Sequence, residues 1–245
     1  PIDAGMHHKR DGDIVLVWMH DKYKSMYMVL PIESINSVVE QIPRKFLYEV
    51  VTQATPCRFF CDFDAKESNG SQLHTLLPTT NAQYQIAQTL AEKIGAIIKD
   101  YWPFLHDHDV VFRHQTCTAH CLETNVFSMH FALLVIVNGD TEISFDDWNT
   151  VKQLYTLVND RGMVGGSDNE ALALLWSCSD GSIYNYNRNM RMLYQSKNSD
   201  IRRNLEPIPG CSLKASDHMI TAACSHTPVP MLTAAAMLSV DTSLT

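Results

Sequence analysis

Runs of apolar residues in the first third of the chain predict short strands separated by turns. Four runs rich in β-branched and aromatic residues are predicted strands: 13–19, 25–30, 46–51 and 58–64. Residues 33–41 follow Pro31 and are typical of a short helix. The polar stretch 66–80 contains Asn69-Gly70, which predicts a surface loop.

Helical periodicity is clearest in 82–101, where Ile86, Leu90, Ile94 and Ile97 recur at steps of three and four residues. A second helix is predicted over 144–159, with Ser144 as its N-cap and Phe145 on its buried face.

The remaining apolar runs predict two more strands and a late one: 109–114, 127–137 and 191–195. The apolar end of 127–137 indicates a central strand that is covered on both faces. Strands and helices interleave without a regular βαβ rhythm. The predicted class is therefore α+β, with a mixed or antiparallel sheet that carries helices on one face.

Composition excludes two broad classes of protein. Of the 245 residues, 45% are hydrophobic and 19% are charged, which is typical of a globular chain and excludes wholesale disorder. The longest apolar run, 131–137, is far shorter than the roughly 18 residues that a membrane span requires, so no membrane partner is expected. The chain starts at Pro1 without a leader, which suggests a segment excised from a longer protein.

Net charge and cysteine content restrict the possible partners and the cellular compartment. The net charge of −8 argues against a protein that coats nucleic acid with its whole surface, and it leaves room for a localised basic groove. The seven cysteines are an odd number in a chain too long to need disulfides, which suits a reducing, intracellular compartment.

Two pairs of polar residues stand on predicted strands. Asp62 and Asp64 alternate with core residues, so both carboxylates leave the same face, where they could hold divalent cations; the alternative is a strand with one solvated face. Ser128 and His130 also share a face and can donate hydrogen bonds to phosphate, although a lone histidine at a strand's wet edge is the commoner case.

The stretch that begins at Asp180 is the most basic part of the chain. Five basic residues stand between 188 and 203 against one acid, Asp200, and tyrosines are interleaved with this stretch. Such a surface suits phosphate binding and base stacking. A solvated basic strand and loop fits the composition equally well.

Taken in order, these motifs resemble the signature of the archaeo-eukaryotic primase superfamily, in its PrimPol-like eukaryotic and viral branch. They are Asp62-x-Asp64, then Ser128-x-His130, then Asp180 followed by Tyr-x-x-Asn187-Arg188-Asn189-x-Arg191 and Ser-Lys197. The long third motif is the most specific of the three. The resemblance covers residues from about 46 to 197.

The resemblance implies roles for these residues. Asp62, Asp64 and Asp180 would be the catalytic carboxylates and would hold two Mg²⁺ or Mn²⁺ ions between a nucleoside triphosphate and the attacking 3′ hydroxyl. Ser128 and His130 would cradle the triphosphate. Five further residues would bind the nucleotide: Asn187, Arg188, Asn189, Arg191 and Lys197. Arg44 or Lys45, which precede a predicted strand, could meet the template.

The same resemblance implies one primase-polymerase catalytic core over 1–245. A supporting α/β module with the first-motif strand would occupy about 1–110, an RRM-like catalytic module about 111–210, and a C-terminal extension 211–245. The expected activity is template-directed DNA synthesis by a monomer on template-primer DNA, in damage tolerance or replication restart. The nucleus is the expected compartment, with the mitochondrion or a viral replication site as alternatives.

The chain departs from the family pattern at three positions. Asp64 stands where many members have Glu, Val126 where many have a cation, and Met190 where an aromatic residue is usual. Members that start chains unaided usually carry a zinc module after the core. The sparse Cys211, Cys224 and His226 do not provide its spacing, and no structural zinc is expected in this segment, Cys117-x-x-His120-Cys121 included.

Three alternatives remain open at this stage. The nearest is a translesion-type polymerase that extends primers without initiating them. The second is a non-catalytic module that binds single-stranded nucleic acid. The third, a rolling-circle-type nuclease, is disfavoured because His106-Asp-His108 has an acid where that family has an apolar residue.

Overall fold

The computed structural model describes residues 13–21, 24–42, 46–52, 55–161, 168–185, 188–196, 204–221 and 232–233. Its strands are β1 (Asp13–Asp21), β2 (Lys24–Pro31), β3 (Leu47–Val51), β4 (Phe59–Ala65), β5 (Val110–Cys121), β6 (Val126–Val137), β7 (Thr141–Ile143), β8 (Arg188–Arg191) and β9 (Glu206–Pro207). Its α-helices are α1 (Ile35–Gln41), α2 (Glu67–Leu76), α3 (Thr80–Tyr101), α4 (Trp148–Asp160) and α5 (Glu170–Ser177).

The strands form two antiparallel sheets, which confirms the α+β class. The first sheet has the order β2-β1-β3-β8, so its last strand comes from much later in the chain. The second has the order β4-β6-β5-β9, and β7 also pairs with β6. The prediction that 127–137 is a central strand is confirmed, because β6 lies between β4 and β5.

Helices cover one face of the second sheet. Alternate residues of β4, from Phe59 through Cys61 and Phe63, are fully buried on that face. They pack in one core with the apolar side of α3, including Leu90 and Ile94. Within the described ranges no helix has both the length and the hydropathy to cross a bilayer.

The opposite face of the second sheet meets the first sheet along β5. Cys117 and Ala119 of β5 share a buried cluster with Ile14 and Leu16 of β1 and with Leu47 of β3. This contact leaves β4 and the facing part of β6 at the margin of the junction between the sheets.

The prediction of a loop over 66–80 is wrong, because α2 occupies most of it. Asn69-Gly70 resembles a turn signal, but Gly70 is needed for close packing. A Cβ at Gly70 would lie 1.8 Å from the carbonyl oxygen of Asn125. Glycine here lets the helix approach the β5–β6 connection.

The predicted start of the second long helix is also wrong. Asp147, not Ser144, is the N-cap of α4, and its side chain accepts a hydrogen bond from the amide of Thr150 (2.9 Å). Phe145 precedes the helix and forms a bridge with Cys57, where it is fully buried. Its burial therefore comes from a strand-like contact and not from a helix face.

Two further boundaries differ from expectation. The strand predicted at 109–114 continues to Cys121. The late strand covers Arg188–Arg191 and not 191–195, because the chain turns near Tyr194, whose φ of 61° is left-handed.

Candidate active site

Two neighbouring strands bring the first two motifs together. In the β4–β6 ladder Asp62 stands opposite His130, and Asp64 stands opposite Ser128. Residues opposite each other in an antiparallel pair project from the same face. All four side chains therefore leave the face that does not carry the helices.

Side-chain contacts join the members of each pair. Ser128, which is fully buried, donates a hydrogen bond from Oγ to Asp64 Oδ1 (2.5 Å). His130 Nε2 lies 3.1 Å from Asp62 Oδ1, with the two side chains only 13% and 18% exposed. Although close to the imidazole, Asp62 Oδ1 is buried and makes no well-aligned hydrogen bond. The carboxylate of Asp62 thus presents a buried oxygen beside the imidazole of His130.

Main-chain pairing brings Asp180 to the same strand. Ser179 forms an antiparallel bridge with Phe63. The amide of Asp180 donates to the carbonyl oxygen of Asp62 (2.9 Å), and the amide of Asp64 donates to that of Cys178 (3.2 Å). Asp180 therefore stands opposite Asp62, and strand geometry directs both side chains to one face.

The carboxylate of Asp180 also has a local role. Its Oδ1 accepts a hydrogen bond from the amide of Ser182 (2.9 Å) and caps the short 3₁₀ turn that follows. Among the described residues, no three His, Cys, Asp or Glu side chains form a group that could hold a metal ion as they stand. Asp62, Asp64 and Asp180 share a face of the sheet, but their carboxylates do not form a ready-made metal site among the described residues.

The part of the third motif that forms β8 belongs to the other sheet. Arg191 and Asn189 lie on β8, opposite Tyr48 and Val50 of β3. Arg191 is 7% exposed and Asn189 is half-buried. Met190, on the opposite face of the strand, is buried in the main core.

Several predicted contacts fall outside the described residues. These are Asn187, Lys197, Arg44 and Lys45, together with the side chain of Arg188, whose backbone lies in β8.

A small pocket lies where the two sheets meet, with a cavity volume of about 20 Å³. His130 of the second motif and Arg191 of the third both line it, whereas the acids Asp62, Asp64 and Asp180 do not. Asn189 is not among the described residues that line it. The positive charge of Arg191 acts against the burial that raises the pKa of Cys117 to about 12.

Sequence reasoning missed Glu49, which also lines this pocket. Its carboxylate is buried and accepts hydrogen bonds from the amides of Ile220 (2.8 Å) and Thr221 (2.6 Å). Burial raises the pKa of Glu49, and these hydrogen bonds act in the opposite direction. The sequence feature that could have identified Glu49 is its position as the one acid inside the otherwise apolar strand LYEVV.

Arg58, which directly precedes β4 of the second sheet, binds the C-terminal segment 217–221 that Glu49 also contacts. Its guanidinium donates to the carbonyl oxygens of Asp217 (2.7 Å) and Met219 (2.8 Å). It also forms a two-point contact with Glu142, at 2.6 and 3.0 Å. Arg58 and Glu49 thus tie residues 217–221 between the two sheets, where this segment forms one wall of the pocket.

His218 is a further wall residue that the motifs did not predict. Its Nε2 lies 2.7 Å from the carbonyl oxygen of Ser212 and donates to it, which fixes the tautomer of the neutral ring. Burial lowers the pKa of His218, and the charges of Arg58 and His130 act in the same direction. The imidazole is consequently a neutral group in the pocket near pH 7.

Neither a scan against models of protein families nor a search of curated proteins finds a match for this chain. No relative therefore assigns an activity to these residues.

Proposed function

We propose that this chain is the catalytic core of a template-directed DNA primase-polymerase that resembles the archaeo-eukaryotic primases. The observation that carries the proposal is the pairing of 178–180 with β4, which aligns Asp180 with Asp62. Acids from distant parts of the chain thereby share one face beside His130. Polymerase chemistry requires this kind of convergence, because carboxylates must gather cations around a triphosphate.

The donor set fits a hard divalent cation. Mg²⁺ and Mn²⁺ prefer carboxylate oxygen, and Asp62 Oδ1 is a buried carboxylate oxygen without a well-aligned hydrogen bond. Asp62, Asp64 and Asp180 would hold the two ions. When bound, such ions neutralise phosphate charge and make the 3′ hydroxyl a better nucleophile.

The protein's own groups orient the nucleotide. The hydroxyl of Ser128 holds the carboxylate of Asp64 in place through its 2.5 Å hydrogen bond. His130, between Asp62 and the pocket, can donate to a phosphate oxygen. Arg191, buried at the wall of the same pocket, supplies positive charge for the triphosphate.

The proposed partners are nucleoside triphosphates and a template-primer DNA, bound by a monomer. The net charge of −8 predicts a short DNA footprint and binding that weakens steeply with salt. A role in damage tolerance or replication restart, in the nucleus, the mitochondrion or at a viral replication site, is part of the proposal.

Primer extension on a templated oligonucleotide with Mg²⁺ and with Mn²⁺ tests this function. The variant Asp62→Asn/Asp64→Asn is expected to lose at least about 100-fold of the incorporation rate, because loss of electrostatic stabilisation typically costs that much. Asp140→Asn, on the exposed turn before β7, is the matched control and should retain full activity. Incorporation that survives the double substitution would overturn the assignment.

A translesion-type polymerase that extends primers without initiating them is the alternative form of this activity. The thiol of Cys211 is half-buried and accepts a hydrogen bond from the amide of Thr116 (3.3 Å), so it is already engaged in the fold. Reactions with and without a starting oligonucleotide distinguish the two forms. Efficient synthesis without a primer would contradict the extension-only form, and DNA binding without any incorporation would favour the non-catalytic module.

A further inference from the structure

Two histidines face each other on the helix-bearing side of the second sheet, away from the acids of β4. His74 lies in the last turn of α2, and His120 lies near the end of β5. Both are half-buried. Their ring centroids are 5.4 Å apart, and their Nδ1 atoms are 3.4 Å apart.

The two Nδ1 atoms form a long hydrogen bond, and the distance between them also suits a shared ion. Hydrogen bonds donated by N–H groups are typically about 2.7–3.2 Å long. Two nitrogens bound at about 2.0–2.1 Å to one tetrahedral ion are about 3.3–3.4 Å apart. The observed separation of 3.4 Å matches the second geometry.

We propose that His74 and His120 form a two-histidine site for a tetrahedral transition-metal ion such as Zn²⁺, with solvent completing the coordination. Imidazole nitrogen is a preferred ligand of Zn²⁺, Cu²⁺ and Ni²⁺ and a poor one for Mg²⁺. The site therefore differs in ion preference from the carboxylates of β4. It is independent of the proposed polymerase activity.

The protonation state of His120 agrees with ligand binding. Burial lowers the pKa of His120 to about 4, and the neighbouring His74 acts in the same direction. A neutral ring has a nitrogen lone pair available near pH 7. The ring of Phe127 packs edge-on against both imidazoles, with centroids 4.8 Å from His120 and 6.1 Å from His74.

The two ligands are held by rigid elements. The close contact between Gly70 and the Asn125 carbonyl fixes α2 against the connection between β5 and β6. His120 is itself paired in the ladder with Phe127. A site that is already assembled loses little conformational entropy when an ion binds.

The nearby cysteines do not extend this site. Cys117 and Cys121 alternate with His120 along β5, so they project from the opposite face of the sheet. In addition, His74 Nε2 is buried without a hydrogen-bond partner in the described structure. Since metal ligands usually gain support from such a partner, binding should be weaker than in a closed four-ligand site.

Titration with Co²⁺ as a spectroscopic probe, followed by competition with Zn²⁺, tests the proposal on the full chain. The protein carries Asp62→Asn/Asp64→Asn, so that carboxylate binding does not contribute. We expect one equivalent of Co²⁺ to produce the intense visible bands of tetrahedral coordination and Zn²⁺ to abolish them. His74→Ala and His120→Ala should each weaken binding at least about tenfold, since losing even a supporting partner costs about that much.

His106→Ala, in the exposed turn Pro103–Asp107, is the matched control and should leave the bands unchanged. Unfolding midpoints measured without metal identify a variant that has lost its fold. In the wild-type chain, Zn²⁺ should raise the midpoint, and this increase should disappear in His74→Ala. The proposal would be overturned if Co²⁺ produced no visible bands or only the weak bands of octahedral coordination. Tetrahedral bands that persist in both histidine variants would also overturn it.

Discussion

The amide of Asp180 donates a hydrogen bond to the carbonyl oxygen of Asp62 at 2.9 Å. This contact connects the first and third motifs through the main chain, so it does not depend on the identity of either side chain. Carboxylate substitutions should therefore remove charge without moving the backbone that carries it. The pairing also makes the residues around Ser179 important for the position of Asp180.

Tyr155 is expected to position Asp180 through its contact with the neighbouring Ser179. Its hydroxyl lies 2.7 Å from Ser179 Oγ, and its ring packs 4.8 Å from that of Tyr184. Tyr155→Phe removes one partly buried hydrogen bond, which should cost about 1 kcal/mol of unfolding free energy. The variant should also need more Mn²⁺ for half-maximal nucleotide incorporation, because Asp180 is held less firmly.

A double-mutant cycle with Ser179→Ala measures whether the two hydroxyls act together. Denaturant unfolding and a Mn²⁺ titration of activity provide the two readouts. If the two substitutions are additive in both, Tyr155 has no positioning role through Ser179.

Arg58 should be among the most important polar residues for stability. It is 8% exposed and contacts Glu142 together with two carbonyl oxygens of the C-terminal segment. Arg58→Met leaves these acceptors without their donor, which should cost about 3 kcal/mol. Urea unfolding measures this loss.

The exposed ion pair between Arg161 and Asp100 (2.8 Å) is the natural comparison for that experiment. Arg161→Met should cost less than about 1 kcal/mol, because solvent screens exposed pairs. Equal losses in the two variants would mean that residues 217–221 are not held through Arg58.

Gly70→Ala should destabilise the fold more than Gly95→Ala. At Gly70 the new Cβ would meet the main-chain oxygen of Asn125 at 1.8 Å, and a paired backbone cannot move away easily. At Gly95 the Cβ would meet the Phe112 ring at 2.3 Å, and that side chain is only partly buried and can rotate. We expect a loss of about 3 kcal/mol or more at Gly70 and a smaller one at Gly95.

Thermal unfolding of the two glycine variants checks this order directly. A smaller loss for Gly70→Ala would mean that α2 does not pack against the β5–β6 connection as described.

Acid should destabilise the protein through His114. Burial lowers its folded-state pKa to about 4, whereas an exposed histidine titrates near about 6.5. Between these values the unfolded chain binds the additional proton, so stability falls as the pH drops from about 6.5 to about 4. The loss is at most about 1.4 kcal/mol per pH unit for this group.

Urea unfolding at several pH values in this window measures the slope. His114→Gln should reduce it, and the exposed His106→Gln should leave it unchanged. An unaltered slope in His114→Gln would show that the buried ring is not the titrating group.

Local sequence patterns were sufficient to predict the elements whose burial follows from the spacing of their own apolar residues. The apolar spacing in α3 produces a buried stripe whatever the helix packs against, and the prediction of this helix was correct within two residues. Alternation likewise predicted that Asp62 and Asp64 share a face of β4. The predictions failed at Gly70 and Phe145, where a distant partner decides the structure.

The amino-acid sequence alone determined the elements with clear periodic burial, such as α3 and β4, because such burial is a property of consecutive residues. It also determined the chemical types of the motif residues. Only the tertiary structure decided that 178–180 pairs with β4 while Arg191 joins the other sheet, and that Glu49 and Arg58 hold one distant segment. These relationships depend on strand order and register between remote segments, and no local pattern contains that information.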